Sequence, residues 1–527
     1  MKKTYISLLL LSCSLIFGQR TITIHTDDIL QTMDGFGAAD AWRCQYVGKN
    51  WPEQKKNAIA DLLFSKEMDS EGNPKGIGLS IWRFNLGAGS VEQAEQSNIY
   101  DVWRRTECIL NEDGTYDWSK QQGERWFLQA AKKRGVEQFL IFSNSPPVYL
   151  TNNGLAFATQ KNKLNLKEGA IPKFADFLVQ SIKGLEEKEG IHFDYVSPIN
   201  EPQWEWMPKN GNKNSQEGTP ATNEEIVELT RSLSEKLSAQ KMSTEILVGE
   251  AGQIDYLYTN VNNENRDNQI DYFFGDSNTN ISNLPNVKKI ISGHSYFTVW
   301  PIGKQISSRQ ALAVAIKKNA GLKYWQSEYC ILDSPGENEI PGGSGGKRDL
   351  GMQTALYVAR IIHSDIAVAN AASWQWWTSI TRGDYKDGLV YLDDGKSNGG
   401  FGADYCKNDG VYHDSKLLWT LGNYSLFVRP GMLRVAIPDQ DPMKAAKDVM
   451  ITAYKDVVNK KLVIVAVNNR NNDQQYQVNL KKGKLKKNEV TPYTTSERSN
   501  LKKGVVQKID CLVIPAKAVV TFVGEFK

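Results

Sequence analysis

The stretch "FDYVSPINEPQWEW" (residues 193–206) opens as a short apolar run and closes on a carboxylate and two indoles. Through Asn200 it has the pattern of a brief buried strand. Glu201 then stands between Asn200 and Pro202, with Trp204 and Trp206 directly behind it. A core strand that runs out onto an acid and aromatic rings fits the mouth of a parallel barrel, where active sites are built from the strand ends and the loops after them. That reading requires seven more strands of the same kind, separated by helices.

The rest of the chain supplies them. Strand-like runs occur at "DGFGAAD" (34–40), "IGLSIWRFN" (77–85), "QFLIFSN" (138–144), "DYVSPIN" (194–200), "EILVGEA" (245–251), "KIISGHSYF" (289–297), "KYWQSEY" (323–329) and "ASWQWWT" (372–378). Helical patterns at 53–66, 122–134, 171–187, 224–240, 305–318 and 350–370 lie between them. This alternation predicts a (β/α)8 barrel of the α/β class. An open doubly wound sheet is the rival, but "GFGAAD" lacks the spacing of a phosphate-binding turn.

After "LGNYSLFVRPG" (421–431) the helical period stops. "DVMITAYK", "KLVIVAVNN", "QYQVNL" and "CLVIPAKAVVTFVG" alternate as strands and predict a β-sandwich side domain, which "RTITIHT" (20–26) is positioned to join. The expected boundaries are a signal peptide over 1–18, an N-terminal strand region over 19–33, the catalytic barrel over 34–430 and the side domain over 431–527.

A net charge of +3 on 527 residues excludes a polyanion binder of the usual kind, so no nucleic-acid partner is expected. From residue 437 on, 17 Lys/Arg stand against 9 Asp/Glu. Runs such as "KKGKLKK" (481–487) read as lysine-guarded strand edges, with a polyanion patch as the alternative. "MKK" followed by "YISLLLLSCSLIFG" is a signal peptide pattern with cleavage near Gly18; Cys13 leaves a lipoprotein anchor as the alternative. No other apolar run is long enough to span a bilayer, so an exported monomer is expected. Cys44, Cys108, Cys330, Cys406 and Cys511 are odd in number and match no metal spacing; neither a disulfide framework nor a metal or other cofactor is predicted.

The expected strand ends carry Arg83, Asn85, Asn144, Asn200, Glu201, Glu250, His294, Tyr296, Glu328, Trp374 and Trp376. Glu201 and Glu328 close the fourth and seventh strands, which face each other across a barrel mouth. Two opposed carboxylates are what glycoside hydrolysis requires: one protonated to assist the leaving oxygen, one ionised to attack or shield the sugar. A single acid at a strand end is otherwise an ordinary ion-pair partner, and Glu250, in "VGEAGQ" without adjacent aromatics, is the rival third acid. Arg83 is either a site residue or a structural tie, and His294 either a ligand or a supporting residue. Trp82, Trp325 and Trp377 are expected to fill the barrel, leaving Trp204, Trp206, Trp374 and Trp376 for flat sugar faces.

With "DGFG", "WRFNLGAG", "SNSPP", "SPINEPQW", "WQSEY" and "NYSLFVRPG" in sequence, the chain resembles glycoside hydrolase family 30 of the retaining (β/α)8 clan over nearly its whole length. The resemblance implies Glu201 as general acid/base and Glu328 as nucleophile. It implies Asn200 as the contact to the hydroxyl beside the anomeric carbon, Tyr296 and Arg83 near the nucleophile, and Trp376 as an aromatic platform. Asn144 stands where many members carry a Trp before Ser-Pro-Pro. That departure points away from a gluco-specific pocket and toward the endo-β-1,6-galactanase branch. β-1,6-Glucanase, xylanase and exo-acting glucosylceramidase-like activity remain alternatives, as does a non-catalytic glycan-binding protein. Long loops at 258–285 and 334–349 are candidates for shaping the cleft.

Overall fold

The computed structural model describes residues 20–208, 211–260, 265–275, 277–333 and 346–527. The expected signal peptide, Cys13, and much of the loop at 334–349 lie outside the described residues.

Eight parallel strands close into a barrel: β2 (Gly35–Ala39), β3 (Ile81–Leu86), β4 (Gln138–Ser143), β5 (Tyr195–Ser197), β6 (Glu245–Ala251), β7 (Val287–His294), β8 (Lys323–Glu328) and β9 (Ala371–Trp376). They follow β1 (Arg20–Thr32), which lies outside the barrel; β2 pairs with β9 to complete the ring. Each run named from sequence holds one barrel strand, and the six expected helices form at Glu53–Phe64, Gln122–Lys133, Ile171–Glu189, Asn223–Ala239, Ile302–Lys318 and Met352–Ala367. Two further helices, Gln269–Phe274 and Lys416–Ser425, complete the alternation. The first is too short to show a 3.6-residue period, and the second lies partly in the expected domain junction.

Side chains alternate across each strand, so each contributes to two cores. Ile81, Leu140, Leu247, Ile290, Trp325 and Ala372 form an apolar plug in the lower barrel, with the Tyr195 ring edge-on to Trp325 at 4.9 Å. Trp82 faces the other way: it packs against Phe64 at 4.8 Å and Phe127 at 6.1 Å in the helix layer. It is therefore sheet–helix filler rather than barrel filler.

The C-terminal strands and β1 form a ten-stranded sheet. Its strands pair antiparallel except that β1 runs parallel to Gln474–Lys481, from Arg20 opposite Tyr476 to His25 opposite Lys481. On its other side β1 meets Leu433–Ala436 antiparallel. Residues from both ends of the strand order, including Leu485, Val490, Val478 and Leu512, share one core, so the sheet folds over on itself as a sandwich does. Its remaining face gives Met450, Val463, Val465 and Val519 to the core that includes the barrel helices, which locks sheet to barrel. Among the described residues no helix is long and apolar enough to cross a membrane.

Candidate active site

Glu201 leaves β5 just after Pro198, whose ring ends the ladder. Its backbone N–H donates to the Glu250 carbonyl at 2.8 Å, and its φ is +47°. Glu328 is the last residue of β8. Both side chains are buried, and one oxygen of each, with a ring nitrogen of His294, lie within 4.8 Å of one another. The two acids thus converge from opposite sides of the mouth.

Arg83, midway along β3, ties the cluster together. Its guanidinium donates to Glu328 Oε2 at 2.5 Å, Glu250 Oε2 at 2.9 Å and Asn200 Oδ1 at 2.9 Å. Tyr296 donates its hydroxyl to the other Glu328 oxygen at 3.1 Å. The His294 ring spans 2.9 Å from Nδ1 to Glu201 Oε1 and 3.0 Å from Nε2 to Glu250 Oε2. Burial opposes a charge on His294, but Glu328, Glu201 and Glu250 outweigh it and raise its pKa to about 10. Burial alone would lift Glu250; Arg83 and His294 bring it down to about 2 instead. Glu201 moves the other way. Burial raises its pKa, His294 opposes the rise, and the charge of Glu328 adds to it.

Glu201, His294 and Glu328 have the donor types of a metal site. The hydrogen bonding argues otherwise. Both His294 nitrogens are already engaged by Glu201 and Glu250, and Arg83 and Tyr296 each occupy one Glu328 oxygen.

A cavity of ≈ 660 Å³ opens over the pair. Asn200, Trp204, Trp206, Tyr296 and Trp377 line it, with Arg104, Gln216, Tyr385 and Asp387 from the loops. The Trp204 indole is held edge-on by Tyr256 at 5.9 Å and Phe297 at 5.8 Å. It lies over Gly252, where a Cβ would fall 2.2 Å from the indole nitrogen. A larger cavity of ≈ 930 Å³ lies between the Met352–Ala367 helix and the side domain, but its acids, Asp473 and Glu497, are exposed. Of these two cavities, the smaller has the buried, paired carboxylates.

Of the residues chosen from sequence, Glu201, Glu328, Asn200, Arg83, His294, Tyr296, Trp204 and Trp206 come together here. Three do not. Asn144 is buried and donates its amide to Asn85 Oδ1 at 2.9 Å, off the cavity lining. Trp374 donates to Asp365 on the outer helix, and Trp376, of the same parity, stacks on it at 6.1 Å and donates to the Asp387 carbonyl. The assignment along β9 is therefore corrected by one residue: Trp377, expected as filler, faces the cavity. Three indoles within four positions carry no parity signal of their own. Arg104, Tyr385 and Asp387 sit in long loops, where neither strand-end position nor periodicity marks them.

A family model described as O-glycosyl hydrolase family 30 matches residues 19–391. A curated endo-β-1,6-galactanase from Hypocrea rufa is 22% identical over 472 residues, covering 86% of this chain and 83% of that protein. Among solved structures, a conserved exported protein from Bacteroides fragilis superposes with TM-score 0.87 at 35% identity, covering 96% of this chain and all of that one. The catalytic domain of family 30 xylanase C from Talaromyces cellulolyticus shares the fold at TM-score 0.65 and 20% identity, covering 96% and 100%.

Proposed function

This chain belongs to glycoside hydrolase family 30, and from that premise we propose that it cleaves a β-linked polysaccharide with retention, best as an exported endo-β-1,6-galactanase. The observation that carries the mechanism is that a carboxylate oxygen of Glu201 and one of Glu328 lie within 4.8 Å of each other. A retaining pair sits roughly 5–5.5 Å apart, whereas an inverting pair needs about 6.5–9.5 Å to admit water between acid and sugar.

Glu328 attacks the anomeric carbon and forms a glycosyl ester. Arg83 and Tyr296, one on each oxygen, hold the carboxylate in line for that attack. Glu201 gives its proton to the departing oxygen as the bond breaks. Ester formation removes the Glu328 charge, one of the influences that raise the proton affinity of Glu201. Glu201, ionised by that transfer and with its proton affinity lowered, stays a carboxylate until it takes a proton from water as that water displaces the ester. Arg83 occupies the Asn200 carbonyl oxygen, so Asn200 is left with its NH2 to donate to the neighbouring sugar hydroxyl. Trp204, Trp206 and Trp377 supply apolar faces for the rings.

The β-1,6-galactan reading rests on the Asn144 departure and on the fungal relative. Product analysis tests it directly. Mature protein is incubated with β-1,6-galactan, β-1,6-glucan and glucuronoxylan, beside Glu328→Ala as control. Short galacto-oligosaccharides absent from the control are expected. Products from glucan or xylan alone would replace the substrate and keep the chemistry.

A further inference from the structure

We propose that Glu250, which the double displacement does not use, is a positioning residue that holds Arg83 and His294 together and so fixes the nucleophile and the acid/base relative to each other. The inference rests on the retaining reading above and extends it to a third carboxylate.

The geometry is specific. Glu250 Oε2 accepts at once from Arg83 at 2.9 Å, from His294 Nε2 at 3.0 Å and from the Ser327 hydroxyl at 3.1 Å. Arg83 goes on to Glu328, and His294 goes on to Glu201. One oxygen thus anchors both routes, while the Glu250 carbonyl receives the Glu201 N–H. Glu250 therefore meets Glu201 through its backbone and through His294.

The backbone is bent to achieve this. The β6–β7 register shifts between Val248 and Ala251, the signature of a bulge, and Glu250 sits in it with φ +44°. Gly249 before it has φ +106°, and a Cβ there would fall 2.4 Å from the Ser292 carbonyl. A left-handed φ at a residue with a side chain is strained and persists where the surroundings hold it. Here it turns the side chain onto the barrel axis, fully buried.

Charge follows from position. The groups facing His294 are Glu201, Glu250 and Glu328, with Arg83 and Tyr296 beyond. Glu250 is the acid that the chemistry never neutralises. It keeps the imidazole charged while Glu328 becomes an ester and Glu201 gains and loses its proton. A bystander acid in a buried ion pair has no such link to the two reacting groups.

The experiment labels histidine with ¹⁵N in the full chain and follows the His294 ring against pH in wild type, Glu250→Gln and His294→Gln, the last to assign the signal. In wild type the ring should stay doubly protonated through about pH 8. In Glu250→Gln it should lose a proton within the assay range. On an aryl β-glycoside that variant should lose about 100-fold in kcat with KM nearly unchanged, and kcat/KM should gain an ionisation that wild type lacks. Glu250→Asp, which restores the charge but shortens the reach, should keep His294 charged. A wild-type His294 that is neutral at pH 7 would overturn the proposal even if Glu250→Gln failed to fold. So would a folded Glu250→Gln with wild-type His294 titration and kcat. The titration needs no turnover, so an enzyme inactive on every β-glycoside would count against the function and leave this inference to be judged by the ring.

Discussion

The lower and upper halves of the barrel interior are made by the same strands and differ in chemistry. Below, Ile81, Leu140, Leu247, Ile290 and Trp325 interlock as hydrocarbon and ring. Two to four residues further along, four of those strands present Arg83, Glu250, His294 and Glu328, all buried and linked by hydrogen bonds. The contrast separates two tasks. The apolar plug contributes stability by removing surface from water, about 1.5–3 kcal/mol for each large side chain. The charged tier holds its acids in a geometry useful to a substrate, and it stands on a floor that does not yield.

If that division is right, damage to each half should register in a different measurement. The largest effect is expected from Glu328→Ala, at least about 10⁴-fold in kcat with the thermal midpoint nearly unchanged. Near-normal turnover would remove the nucleophile from the upper tier. Glu201→Ala should lose about 10²–10⁴-fold on a poor leaving group, and azide should restore turnover of an activated aryl glycoside as the β-glycosyl azide. Absence of that product would undo the acid/base assignment. From the lower half, Trp325→Ala should cost about 3–5 kcal/mol of stability, read by denaturant unfolding, yet leave kcat close to wild type at low temperature. A large kcat defect there would mean that the two halves are not separable.

Smaller effects sharpen the boundary. Trp377→Ala should raise KM about tenfold, whereas Trp374→Ala should lower stability and leave KM nearly unchanged, since only the first ring faces the cavity. Smallest is the pH signature. Burial raises the pKa of Glu201, so the alkaline limb of kcat/KM should lie above the ordinary carboxylate range. In Glu201→Gln that limb should vanish.

The lower half and the ring of strands were legible in the sequence because eight apolar runs alternate with six helical periods. Glu201 and Glu328 were legible because a strand end is a position, and position on a barrel implies direction. Legibility stopped where direction depended on more than position. The consecutive indoles at 376 and 377 could not be assigned to faces without the register of β9. Glu250 sits in a bulge, which breaks the alternation that would have pointed it inward. Arg104 and Asp387 reach the cavity from loops whose paths are set by tertiary packing, such as the Arg104 bond to Gln216 at 3.1 Å.

The placement of β1 has a consequence for how the chain is made. Its neighbours in the side sheet are Leu433–Ala436 and Gln474–Lys481, so its earliest residues wait on partners more than 400 positions later. Synthesis runs from the N-terminus, and the barrel strands lie between the two halves of this pairing. The sheet therefore acts as a clasp that fastens only when those two strands arrive. A ribosome that stops early releases a strand with both edges bare, an exposed template for aggregation. Quality control of this molecule is in effect a test of whether its two ends have met.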